Sequence, residues 1–112
     1  MKIYHNPRCR KSRETLELIT NKGIDHEVIL YLETPPTKKE LKDIIKMLGI
    51  DPTDLLRKTE PIYKEKFKGK ELSSTKWIDA MIKFPKLIER PIVVKGKKAI
   101  IGRPPENVKS LF

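Results

Sequence analysis

A chain of 112 residues with a formal net charge of +10 suits one compact domain with a single core and gives no reason to invoke two. No run approaches the roughly 20 apolar residues needed to cross a bilayer, and the N-terminus lacks the apolar block of a secretory signal, so a soluble, cytoplasmic protein is expected. Positive charge suits a phosphate backbone, but most of the 19 Lys alternate with acids along predicted helices, as in TKKELKDIIK and PIYKEKFKGKE. That is the pattern of a solvated face, and neither nucleic acid nor a membrane is expected as a partner.

In chain order, KIYH reads as a first strand that ends in a loop at Asn6-Pro7. A helix follows over Ser12–Lys22, with Leu16, Leu18 and Ile19 at helical spacing and Gly23 as its stop. HEVILYL, residues 26–32, is rich in β-branched and aromatic residues and short for a helix, which predicts a second, largely buried strand.

Pro35-Pro36 then breaks the chain. Thr37 and Glu40 form a capping box ahead of Leu41, Ile44, Ile45 and Leu48, and Gly49 terminates that helix. Asp51-Pro52 starts another, carrying Leu55 and Leu56. A further helix is predicted over Thr75–Phe84, with Trp77, Ile78, Met81 and Ile82 on its inner side. PIVV, a turn at Gly96 and AII read as a hairpin, and PPENVKSLF as a short final helix begun by proline. The order βαβ, helices, ββα predicts an α/β, thioredoxin-like fold: a mixed four-stranded sheet in a single domain over 1–112, with a helical insertion over about 37–86.

Cys9 is the single cysteine, so it has no internal disulfide partner, and any redox cycle must borrow a second thiol. It stands between a strand and a helix, beside Arg8, Arg10, Lys11 and Arg13. A thiol of pKa about 8.5 is only a few per cent ionised at neutral pH, and lowering that value by about two units takes roughly 2.7 kcal/mol. A helix N-terminus typically gives about 0.3 to 1 kcal/mol, so free N–H groups, the Ser12 hydroxyl and nearby guanidinium groups would have to supply the rest. Cys9 is then either a nucleophile or a small buried filler. His5, at the end of the first strand, either tunes the thiol or simply packs there.

Arginine is used sparingly. Arg57, Arg90 and Arg103, the three outside the Cys9 segment, each fall at a predicted element boundary. The guanidinium fork binds tetrahedral oxyanions bidentately, whereas Lys acts as a point charge. The three are either an anion site or unrelated surface residues.

The ordered blocks YHNPRCRKSRETLELI, YLETPPTKKEL, DLLRK, ERPIVV and GRP resemble those of the glutaredoxin-coupled arsenate reductases along nearly the whole chain. The resemblance implies a thioredoxin-like fold and reduction of arsenate to arsenite without metal or bound cofactor. Cys9 would attack arsenate, with glutathione as co-substrate and glutaredoxin as partner. It also implies that Arg57, Arg90 and Arg103 bind the oxyanion and that Pro91 forms a cis peptide opposite the nucleophile, while Ser12 and His5 stay as the thiolate-supporting candidates read from the residues themselves. Arg10-Lys11 stands where the family has Gly-Thr. Two alternatives remain: a monothiol oxidoreductase acting on glutathionylated proteins, and an Spx-like regulator that binds RNA polymerase. The second lacks its usual Cys-x-x-Cys, because position 12 is Ser.

Overall fold

A computed structural model describes residues 1–112, which divide into two compact units, Met1–Thr34 with Arg90–Phe112, and Pro35–Glu89. The first holds the sheet. β1 (Lys2–Tyr4) pairs in parallel with β2 (Glu27–Ile29) and antiparallel with β3 (Ile92–Lys95), and β3 pairs antiparallel with β4 (Lys98–Ile101). The strand order β2-β1-β3-β4 is the mixed four-stranded sheet of the expected α/β class. Gly96, at φ +59°, is the first of two turn residues between β3 and β4, the place where a type II′ hairpin requires positive φ.

α1 (Arg10–Asn21) begins two residues earlier than the hydrophobic spacing predicts, with Cys9 as its N-cap in extended conformation. Ile3 and Val93 are direct cross-strand partners, so their side chains share one face of the sheet. Together with Ile19 of α1 and Val108 and Leu111 near the C-terminus they form the buried core of this unit, each such side chain contributing about 1.5 to 3 kcal/mol relative to exposure.

Two expectations are corrected here. The second strand is neither seven residues long nor largely buried: β2 has three residues, lies at the sheet edge, and leaves Val28 41% exposed. β1 offers it only three partners, and the N–H groups of Glu33 and Thr34 then both donate to the Leu30 carbonyl at 2.9 Å, which turns the chain. Tyr31, inside that turn, is the buried aromatic of the segment. The final helix is a 3-10 helix, Pro105–Leu111, whose buried residues Pro105, Val108 and Leu111 recur every three positions. Side chains three apart eclipse in a 3-10 helix, so this spacing turns all three inward.

In the second unit, α2 (Lys38–Leu48) has both capping-box bonds between Thr37 and Glu40, and Gly49 closes it in the left-handed conformation. A 3-10 turn, Pro52–Leu55, follows an Asp51/Asp54 capping box. α3 (Pro61–Lys66) precedes α4 (Ser74–Lys83), which buries Trp77, Ile78 and Met81 and leaves Ile82 half-buried. A second 3-10 turn, Pro85–Leu87, leads into a short antiparallel bridge between Leu56 and Ile88. The bridge is closed by Arg57 N–H to Leu87 O and Glu89 N–H to Leu55 O, each 2.8 Å.

Gly102, just after β4, shows how tightly the sheet unit is built. A Cβ there would lie 2.5 Å from Thr15 Oγ1 and 2.8 Å from Pro91 Cγ, and Thr15 is fully buried. Gly102→Ala should therefore cost about 1 to 3 kcal/mol, read as a lower urea midpoint at unchanged slope. Thr15→Ala in the same chain should recover part of the loss, and an unshifted midpoint in the single variant would refute the contact.

Candidate active site

The segment from His5 to Ser12 makes a loop closed by hydrogen bonds. The Cys9 N–H donates to Asn6 O at 3.0 Å. The Arg8 N–H donates to Asn6 Oδ1, and the Asn6 N–H to Ser12 Oγ, both also at 3.0 Å. His5 Nδ1 and Ser12 Oγ share a buried hydrogen bond of 2.6 Å. Arg13 Nη1 adds an outer tie to Pro7 O at 3.0 Å. Pro7 can lie in this turn because it has no N–H to satisfy. The result aims the first-turn N–H groups of α1, which have no intrahelical partner, at the region of the half-buried Cys9 sulfur.

Burial is the largest single influence on the Cys9 thiol and resists its ionisation. The N–H of Ser12, the hydrogen bond and charge of the Arg90 guanidinium, and the N–H of Lys11 together outweigh it, and the pKa falls below the ordinary thiol value. No first-turn N–H makes a full cap bond to the sulfur at rest, so these donors favour the anion from looser geometry. Arg103 also approaches, with Nη1 3.7 Å from Cys9 Sγ and 3.2 Å from Arg90 O. Arg90-Pro91 and Arg103-Pro104 are both cis peptides, and the Gly102 N–H donates to Pro91 O at 2.9 Å. Cys9, Arg90, Pro91 and Arg103 are therefore brought together within the sheet unit.

The Ser12 hydroxyl needs correcting. It is turned to His5 and Asn6, fully buried, and Ser12 supports the thiolate through its backbone N–H instead. His5 reaches the site by holding Ser12 and Asn6 in place. Its own pKa is lowered, first by burial and then by the Arg13 charge, so the ring is neutral at pH 7. Arg57 lies in the Pro35–Glu89 unit, where Nε meets Glu60 Oε1 at 3.3 Å and Nη1 meets Glu89 Oε1 at 2.8 Å. No group of three or more His, Cys, Asp or Glu side chains is arranged to hold a metal.

The sequence reading passed over Asn6. It is 8% exposed and closes the loop with its N–H, carbonyl and side chain together. The Asn-Pro dipeptide signalled a turn, but a turn signal does not tell which bonds the turn makes.

The ArsC family profile matches residues 4–111. The chain belongs to the ArsC family. "Uncharacterized protein YfgD" of Escherichia coli (strain K12) is 53% identical over 96% of this chain and 92% of its own length. An arsenate reductase of Haemophilus influenzae is 47% identical over 98% of this chain and 97% of its own. The structure titled "Arsenate reductase from Vibrio cholerae" superposes with a TM-score of 0.94 at 48% identity, over 100% of this chain and 98% of that one. The fold is the thioredoxin-like fold of these ArsC neighbours.

Two measurements check the electrostatics. The rate of Cys9 alkylation by iodoacetamide should rise with pH to a midpoint below that of an unperturbed thiol, about 8.5, and Arg90→Gln should move the midpoint up; an ordinary midpoint in the native chain would contradict the site. For His5 the folded pKa is depressed, so its stabilisation is complete above the unfolded value of about 6.5 and is lost as pH falls through the folded value. Urea unfolding between pH 7 and 4.5 should show that loss, and His5→Gln should flatten this part of the profile.

Proposed function

We propose that this ArsC-family chain reduces arsenate to arsenite through the Cys9 thiolate, with glutathione and glutaredoxin supplying the further thiols. The observation that carries the reading is a half-buried thiol of lowered pKa at a helix N-terminus with the Arg103 guanidinium 3.7 Å away. The Haemophilus influenzae and Vibrio cholerae relatives, which bear the name arsenate reductase, support the choice of oxyanion.

In the proposed reaction, Cys9 sulfur bonds to arsenic and one arsenate oxygen leaves as water. Arg90 and Arg103 offset the oxyanion charge during the attack. Arsenic in the adduct is still pentavalent. It is reduced when glutathione thiolate attacks Cys9 sulfur, because the S–As bond breaks with its electron pair going to arsenic. Arsenite departs and a Cys9–glutathione mixed disulfide remains. A glutaredoxin thiolate attacks the glutathione sulfur and returns Cys9 as thiolate. Two thiols are oxidised to one disulfide for each arsenate reduced, so the balance closes without a metal or a bound cofactor.

The roles of the other residues follow from their positions. The Ser12 N–H favours the attacking anion, His5 holds Ser12, and Pro91 fixes the backbone beside Arg90. The family resemblance adds Arg57 as a further anion ligand. The reading also places the protein in the cytoplasm, where reduced glutathione is available.

Arsenite formation with glutathione and glutaredoxin present is the test. Wild type should turn over, Cys9→Ser should be inactive, and Arg103→Ala should lose about a hundredfold or more in kcat/KM, on the order of the loss of one oxyanion donor. Undiminished turnover by Cys9→Ser would sink the proposal. Faster reduction of glutathionylated protein than of arsenate would move the assignment to a monothiol oxidoreductase.

A further inference from the structure

Cys9 has no second cysteine in the chain to resolve it, so the thiol that completes its cycle must come from another molecule held beside it. A cleft of about 240 Å³ lies between residues 5–8, just ahead of Cys9, and the turn that follows β2, at Leu30, Leu32 and Glu33. We propose that this cleft seats the γ-glutamyl end of glutathione, with Glu33 receiving its ammonium group and Arg8 its α-carboxylate. The inference deepens the reading above and rests on glutathione as the co-substrate named there.

The cleft carries one charge of each sign. Arg8 comes from the Cys9 loop and Glu33 from the turn, both residues are exposed, and neither side chain makes an ion pair with the other or with any other residue. An α-amino acid end bears an ammonium and a carboxylate on one carbon and so satisfies both at once. A plain anion would meet the Glu33 carboxylate, and a plain cation the Arg8 guanidinium. Leu30 and Leu32, the latter 39% exposed, supply an apolar wall on which the methylene groups of a γ-glutamyl chain lose contact with water.

The volume is below the roughly 300 to 1,000 Å³ of clefts that enclose a whole small molecule, so it takes one end of a tripeptide and leaves the rest outside. That suits the chemistry: the cysteinyl sulfur of glutathione stands several bonds from the γ-glutamyl charges, and Cys9 borders the cleft instead of lining it. Arg8 immediately precedes Cys9, consecutive Cα atoms being about 3.8 Å apart, and the Asn6 carbonyl accepts the Cys9 N–H at 3.0 Å. Backbone bonds hold both walls, from Arg8 N–H to Asn6 Oδ1 at 3.0 Å and from Glu33 N–H to Leu30 O at 2.9 Å. Little of the backbone then has to be ordered when the ligand binds.

The experiment is an NMR titration of the full nitrogen-15-labelled chain with S-methylglutathione, which has no thiol, in the absence of arsenate. The amide signals of Asn6, Arg8, Leu32 and Glu33 should shift together with a single Kd. Arg8→Gln and Glu33→Gln should each raise that Kd about threefold, the scale of one exposed ion pair. N-acetyl-S-methylglutathione lacks the ammonium group, so it should bind the native chain more weakly, and Glu33→Gln should not weaken it further. The spectra also report folding, and if one variant does not fold the other carries the test. No binding, shifts confined to other residues, or a Kd unchanged in the folded variants overturns the proposal. Arsenite formation is read separately. Turnover by a chain whose cleft does not bind S-methylglutathione overturns this inference and leaves the arsenate reading, whereas cleft binding without turnover sinks the arsenate reading and supports the cleft.

Discussion

A thiol partly removed from water resists ionisation, and the site depends on the backbone that offsets this cost. Part of the offset is set up by the short closure at Asn6, where one residue accepts the Cys9 and Arg8 N–H groups and donates its own to Ser12, and the Arg90 guanidinium adds to it. Once closed, the loop holds Cys9 as the residue just before α1, with the Lys11 and Ser12 N–H groups favouring its anion. His5 and Ser12 support the loop from the buried side with uncharged groups. A protonated ring there would add a buried positive charge facing Arg13.

Five of the six arginines differ in the contacts they make. Arg90 and Arg103 turn toward the thiol. Arg10 pairs with Glu14 on an exposed face, where its side chain is 83% exposed, and Arg13 ties down Pro7. Arg57 is held by two carboxylates. Residues of one type thus make very different contacts, a consequence of what folding packs beside each guanidinium. Arg10 and Lys11 place exposed cations at the first turn of α1, while the hydrogen bonds that close the loop behind Cys9 run among His5, Asn6, Arg8, Cys9 and Ser12.

How far the chain could be read in advance follows from the range of the interactions concerned. The Thr37/Glu40 box and the Gly49 stop were readable because every bond involved spans a few residues. The hairpin at Gly96 was readable for the same reason. β2 was misjudged because burial of a strand depends on whether a neighbour lies on its far side, and here none does. The 3-10 geometry of Pro105–Leu111 escaped because proline marks where a helix starts, while its pitch is set by what Val108 and Leu111 pack against. At the site, the cysteine and the arginines stood out by rarity and placement, but the Ser12 hydroxyl was assigned the wrong partner, since spacing gives proximity and not direction.

The sequence by itself determined the order of elements, the caps of α2, the solitary thiol and the family, because these rest on residue identity and on contacts between near neighbours. Tertiary structure decided which guanidinium groups meet the sulfur and which are taken up by carboxylates. Arg103 lies 94 positions from Cys9 and Glu89 lies 32 from Arg57. At such separations only the folded backbone sets distance, and at a few ångströms distance and burial fix the sign and size of an electrostatic effect.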